Sequence, residues 1–369
     1  MKIARVLFLA ALVALLAIAG YVLGKRMQAG RAGLRPSGAT PSPSKPGDDF
    51  DHSAALDRTP AGLLARVLGK LRTGGLAPGE LDWLRRQLLA ADPAEAMAAI
   101  TAFLATGQDA RTGEIFALTK GGELGGAPTM RVMLLDVFGR ICRENGSKDA
   151  EVFARALLER KTSADEWAVA LRNIAWSAPG DRTYLTGKVR DMLAYQPWRQ
   201  QPTPGFLEAF DIVVFTRDVT FLSDLGGMVL SEDEALKRAA AVALDRFSEM
   251  APLDVMTYLN AHPAEFADRP FLRADYYSKA DLSQIAQRVA VEAYLGRPDV
   301  SLAEKEKLLS VFASPGSFVG DTLVTQPPPE EGSPQRIAGL QKAVDEWLKV
   351  NRFPTLSGSL GNLRGKLAE

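Results

Sequence analysis

Apolar side chains follow two different patterns along this 369-residue chain. Over residues 6–24, VLFLAALVALLAIAGYVLG, they form a run that no charged side chain interrupts and that basic residues flank on both sides. From about Pro60 onward they recur instead at three- and four-residue steps, the stripe of an amphipathic helix covering a core. Residues 130–142 show this second pattern well, with Leu134, Val137, Phe138 and Ile141 on one face. The alternation of a half-buried strand is nearly absent. Residues 212–215 are the best strand candidate, yet Phe206, Leu207 and Phe210 carry a helical spacing into them. The predicted fold class is all-α, with an N-terminal transmembrane helix, a flexible linker and then an α-solenoid of stacked helix pairs.

Helix starts are marked by cap chemistry. Asp92, Ser163, Ser231 and Ser301 each stand three residues before a glutamate, Glu95, Glu166, Glu234 and Glu304, that can reach back to the cap amide. Pro93, Pro128 and Pro334 suit a first helical position, where the missing amide hydrogen costs nothing. The starts at Asp92, Ala127, Ser163 and Ser231 are 35, 36 and 68 residues apart, the last close to two periods, and the missing start falls near Thr203 and Pro204. A repeat of about 35 residues follows. An apolar helix recurs after each start, at 95, 129, 165, 205 and 235, and a second helix lies between, clearest over 149–160 and 182–195. Such a two-helix unit cannot bury its own apolar face and must stack on its neighbours.

The segment EALKRAAAVALDRF, residues 234–247, resembles the second-helix signature of HEAT and armadillo repeats, in which a basic residue, an alanine-rich stretch and a terminal large apolar residue pack on the next unit. By period the resemblance covers residues 90–260. It implies an α-solenoid that binds other macromolecules, and no particular partner. The Trp, Gly, Tyr and Pro pattern of tetratricopeptide repeats is not found.

Five segments result: a membrane anchor or signal over 1–26, a Pro/Ser/Gly-rich linker over 27–59, the helical-repeat domain over 60–262, a C-terminal helical cap over 263–352, and a Gly/Ser-rich flexible tail over 353–369. As a helix the first run would be roughly 28 Å long, close to the hydrocarbon thickness of a bilayer. Val6, Leu7, Phe8, Leu9, Leu12, Val13, Leu15, Leu16, Ile18, Tyr21, Val22 and Leu23 are its membrane-facing candidates. A secretory signal cleaved after Ala17-Ile18-Ala19 is the rival; continuation of the run through Leu23 favours retention. Lys2 and Arg5 before the run and Lys25, Arg26, Arg31 and Arg35 after it lean weakly toward a cytoplasmic domain. Long C-terminal domains cross regardless of such counts, and an extracytoplasmic location is expected. The linker holds almost no large apolar side chain and cannot offset its ordering entropy.

Charge changes the picture once the linker is set apart. Of 44 basic and 44 acidic residues, seven basic and no acidic ones precede residue 48, which leaves 37 against 44 and a domain seven charges negative. Nucleic-acid binding needs a concentrated basic footprint, and neither this balance nor Arg85-Arg86 supplies one.

Candidate chemistry is sparse. His52 lies in the linker and His262 beside Pro263, so no His-based metal cluster or Ser-His-Asp set is built, and no metal or cofactor is expected. Cys142, on the apolar face of its helix, reads as a buried structural thiol. The glycines of residues 120–128 lack the spacing of a phosphate cradle. Carboxylates beside aromatic rings remain: Glu80 and Asp82 with Trp83, Asp165 and Glu166 with Trp167, Asp275 with Tyr276 and Tyr277. Five tryptophans are few for a saccharide cleft, and no carboxylate pair can be given the separation a glycosidase needs. The expected function is a non-catalytic scaffold or adaptor, with the lipid bilayer and an unidentified protein as partners. The alternative is a carboxylate-dependent envelope hydrolase on a helical toroid. Arg172, Trp176, Lys188 and Arg190 are the candidate partner-binding residues. Within the cap, the loop over 315–334 carries Phe318 and Val319, which could pack into the repeats or onto a partner.

Overall fold

The computed structural model describes residues 58–312, 320–325 and 334–368, all within the unit Ser53–Glu369. The anchor segment and the linker before residue 58 lie outside the described residues, as do Phe318 and Val319. Among the described residues, no helix is long and apolar enough to cross a membrane.

The described chain is all-α apart from one small hairpin. It runs through α1 (Pro60–Thr73), α2 (Glu80–Ala90), α3 (Pro93–Ala105), the strands β1 (Ala117–Leu118) and β2 (Leu124–Gly126), α4 (Met130–Asn145), α5 (Asp149–Leu157), α6 (Ala164–Ser177) and α7 (Arg182–Leu193). It continues with α8 (Gln196–Gln200), α9 (Pro204–Glu208), α10 (Phe210–Thr216), α11 (Leu222–Val229), α12 (Glu234–Met250) and α13 (Pro252–Ala261). The last helices are α14 (Pro270–Tyr277), α15 (Ile285–Gly296), α16 (Leu302–Val311), α17 (Pro334–Lys349) and α18 (Ser357–Ala368).

Many helices pack on a neighbour in sequence, and others on the helix after next. One succession runs α3 on α4, α4 on α6, α6 on α9, α9 and α10 on α12, α12 on α14, α14 on α16 and α16 on α18. The intervening helices α5, α7, α11 and α13 pack against members of this succession. Ion pairs repeat the register: Arg131 with Glu166 at a separation of 35 residues, Asp136 with Arg172 at 36, Asp211 with Arg246 at 35, Asp245 with Lys279 at 34 and Arg273 with Glu304 at 31. Each joins a helix of the succession to the next member or, for Lys279, to the turn that follows it.

The caps account for most helix starts and correct some. Asp92, Ser163, Thr203 and Ser301 accept amide hydrogens of the first turn, as expected, and Pro93 and Pro204 are first helical residues. The start expected at Ala127 and Pro128 moves to Thr129, which accepts from Val132 N. The start expected at Ser231 moves to Asp233, which accepts from Leu236 N, while Ser231 Oγ accepts from Asp233 N. Glu166 and Glu304 turn away from their caps: they bind Arg131 and Arg273 across helices, because a buried guanidinium demands a carboxylate more strongly than an exposed amide does. The strand candidate 212–215 is helical within α10, and the helix expected from 205 is divided into α9 and α10. The tail expected to be flexible contains α18, whose Leu360 and Leu363, with Leu356 just before, supply a buried stripe despite the Gly/Ser content.

Candidate functional site

α6 lies in the middle of the succession, and every residue from Ala164 to Ala175 in it is buried. Four of these are polar: Asp165, Glu166, Arg172 and Asn173. A polar group buried without a partner costs on the order of a few kcal/mol, so each has a specific task. Asp165 accepts from Thr203 Oγ1 at 2.6 Å and Gly205 N at 2.9 Å, fixing the start of α9; burial raises its carboxyl above the usual range, and these bonds oppose that. Asn173 donates to the Leu135 carbonyl at 3.0 Å, and Gly139 of α4 makes room for it, since a Cβ there would stand 2.1 Å from Asn173 Oδ1.

Arg172 holds the hairpin. Its Nη1 donates to Asp136 Oδ1 at 2.6 Å and to the Gly122 carbonyl at 2.7 Å, with both charged side chains at 0% exposure. Asp136 Oδ1 also accepts from Leu124 N at 3.1 Å, so acid and base grip opposite sides of the same turn. Burial pushes the Arg172 guanidinium down from its ordinary value, and Asp136 opposes the shift. Glu123 and Arg140 pair beside them at 3.1 Å, which leaves two anions against two cations.

The turn so held presents Gly122, at φ +82°, to a segment 200 residues further along the chain. Residues 320–325 form a strap that lies over it: a Cβ at Gly122 would stand 2.0 Å from the Leu323 carbonyl oxygen. Leu323 is fully buried. The strap bends at Leu323 and Val324 and closes on Asp211 of α10. Asp211 Oδ2 accepts from Val324 N at 2.7 Å and from Thr325 N at 2.9 Å, two successive amides converging on one carboxylate oxygen. The Thr325 hydroxyl donates to Asp211 Oδ1 and accepts from Arg246 Nη1 at 3.0 Å, and Arg246 also reaches Asp211 Oδ1 at 2.7 Å. Glu208 of α9 faces this cluster. Burial, with added repulsion from Asp211 and Asp321 that Arg246 only partly offsets, pushes its carboxyl up to about 7.

Of the four residues expected to meet a partner, Arg172 is corrected: it is wholly enclosed and has no surface to offer. Trp176 is half-buried between the guanidinium groups of Arg172, 4.1 Å from its ring centre, and Arg143, 4.6 Å away. Lys188 binds Glu159 at 2.8 Å, and Arg190, about half exposed, donates to Thr220 Oγ1 at 2.7 Å. The structure does not gather these four into one site.

The carboxylates considered for hydrolysis are likewise separate. Glu80 binds Lys70, Asp82 binds Arg85 at 2.6 Å, Glu166 binds Arg131 at 2.7 Å, and Asp275 stands 3.5 Å from Lys307. Tyr276 and Tyr277 are buried in the core, where burial raises both phenols well above their ordinary value. Cys142 is buried, its Sγ 3.5 Å from Met97 Sδ, and burial pushes the thiol up. His262 stacks on Tyr258 at the end of α13. Among the described residues, no cluster of three metal-ligating side chains occurs.

Sequence reasoning missed Gly122, Glu208, Asp211 and Arg246. The signal it passed over is the lone acid inside apolar runs: MLLDVF at Asp136, FDIVVF at Asp211 and VALDRF at Asp245. Comparison with protein-family models, with curated proteins and with solved structures finds no match to this chain.

Proposed function

We propose that this protein is a membrane-tethered α-solenoid scaffold that docks another protein in an envelope assembly and performs no catalysis itself. The observation carrying the reading is the succession of helices, each packed on the next, with ion pairs between residues 31 to 36 apart tying α4 to α6, α10 to α12, α12 to the turn after α14, and α14 to α16. That register is the expectation for stacked two-helix units, whose usual work is to expose a long surface built from successive repeats. The acids examined for catalysis serve as ties and caps within this stack, which favours the scaffold over the envelope hydrolase.

The tether rests on the sequence. The uncharged run over 6–24, flanked by basic residues and followed by a Pro/Ser/Gly-rich linker, suits a retained single-pass anchor that holds the domain clear of the bilayer. The domain is placed on the extracytoplasmic side.

Affinity capture with the full-length chain from detergent-solubilised membranes, read by quantitative mass spectrometry, tests the scaffold. A protein recovered in stoichiometric amount is expected; a bait that returns alone counts against the reading. Arg190→Ala sharpens it. An exposed substitution of this kind should shift stability by no more than about 0.5 kcal/mol, so weaker capture by a variant of unchanged melting temperature would place the partner on the α7 surface. Alkaline extraction of membranes tests the anchor, which should stay with the lipid.

A further inference from the structure

The strap over 320–325 is held at two places remote from it in sequence. Its anchors, Asp211 and Gly122, lie far from it in sequence, Asp211 standing 113 positions before Val324. Its polar grip on Asp211 is mostly main chain, through Val324 N and Thr325 N, with one hydroxyl added. Gly122 removes the side chain that would otherwise block a backbone at that point. A seat that recognises two adjacent amides, one buried apolar side chain and a close-lying backbone can accept any peptide turn offering the same features.

The seat and the strap also fit imperfectly. Asp211 of α10 and, more weakly, the exposed Asp321 of the strap oppose ionisation of Glu208 of α9, and Arg246 of α12 favours it. The guanidinium that favours ionisation of Glu208 is thus already bound to Asp211. A turn carrying a neutral or basic residue in place of Asp321 would suit the seat better than the resident strap does.

We infer that the strap is a displaceable internal ligand, and that the seat formed by Gly122, Asp211 and Arg246 is a docking site for a partner's peptide turn in which an apolar residue precedes two free amides. This rests on the scaffold reading above and adds to it the class of ligand and a regulatory contact. The strap has the advantage of being intramolecular, at an effective concentration in the millimolar range. It keeps the seat closed to weak ligands and yields to one that lacks the acidic misfit.

The test uses the full-length protein in detergent and a fluorescein-labelled peptide, GDTLVTQ, with the sequence of residues 320–326. Fluorescence anisotropy compares the wild type with a strap-released variant, Leu323→Ser with Val324→Pro, which removes the buried side chain and one amide. The released variant, with helix content unchanged by circular dichroism, should bind the peptide at least tenfold more tightly than the wild type. A peptide with lysine at the Asp321 position should bind more tightly still, and adding Asp211→Asn to the released variant should abolish binding. Equal binding to all three proteins, or none to a folded released variant, overturns the inference.

If the released variant does not fold, Asp321→Lys alone decides. It should raise hydrogen-exchange protection at Val324 and Thr325, and unchanged protection overturns the inference. A captured protein that wild type and released variant bind equally, and that the peptide does not displace, overturns the docking site while leaving the scaffold standing. Peptide binding as expected with no protein captured supports the seat and counts against the scaffold.

Discussion

The same device appears twice in this molecule, once closed on itself and once under strain. In α4 and α6, Asp136 binds Arg172 across 36 residues and catches the amide of Leu124 from an inserted hairpin. In α10 and α12, Asp211 binds Arg246 across 35 residues and catches the amides of Val324 and Thr325 from an inserted strap. The geometry matches, and the charge does not. Around Arg172 the fully enclosed pair with Asp136 is flanked by the partly exposed pair of Glu123 and Arg140, whereas Arg246 is bound to Asp211 while Asp211 and Asp321 both oppose ionisation of Glu208. The difference teaches that a repeated acid and base can staple a loop for good or hold it provisionally, and that the neighbours' charges decide which.

Removing the closed device should have the larger effect. Arg172→Met leaves the enclosed Asp136 with only the Leu124 amide and, 3.9 Å away, Arg140 Nη1 as partners, and should destabilise the domain by about 3–5 kcal/mol, measured by urea denaturation. The double variant Asp136→Asn with Arg172→Met should recover part of that loss, since no charge is left buried alone. A single variant within 1 kcal/mol of wild type would break the contrast between the two sites. Gly122→Ala strikes where both regions meet. It strains a left-handed backbone and drives a methyl into the Leu323 carbonyl, so roughly 2 kcal/mol should be lost, with exchange protection falling first at Leu323, Val324 and Thr325.

How much of this was legible in the sequence follows from where the information lies. Helix periods and cap residues are local, and so the all-α character, the starts at Asp92, Ser163, Thr203 and Ser301, and the burial of Cys142 could be read from spacing alone. The strap could not, because nothing within residues 320–325 says that Asp211 waits 113 residues upstream. Arg172 was misplaced for a related reason. A charged residue on a helix defaults to solvent, and only packing of α6 on α4, α5, α7 and α9 encloses it. Its enclosure had a partial signal in the lone aspartates of MLLDVF, FDIVVF and VALDRF, for a single acid in an apolar run must find a base on the next repeat. The capping boxes misled in the opposite sense: Ser163 and Ser301 cap as their sequences indicate, but Glu166 and Glu304 answer to arginines on other helices.

The smallest predicted effect separates the two devices by pH. Glu208 titrates at about 7 in the folded protein, against 4.5 for an ordinary carboxyl. Between those values the folded state binds the extra proton, so the stabilisation is complete below pH 4.5 and is lost as pH rises through 7. Because Glu208 is half-buried, the full shift overstates the effect, and about 1–2 kcal/mol is expected. The loss falls on the strap, since the new negative charge appears beside Asp211 and Asp321. Hydrogen-exchange protection at Val324 and Thr325, corrected for intrinsic rates, should therefore decline from pH 5 to pH 8, while that at Leu124 in the hairpin stays level. Glu208→Gln should flatten the first profile and leave the second alone. If both amides instead respond alike, or if Glu208→Gln leaves the strap's profile unchanged, the strap is held as permanently as the hairpin, and the charge imbalance at Arg246 has no mechanical consequence.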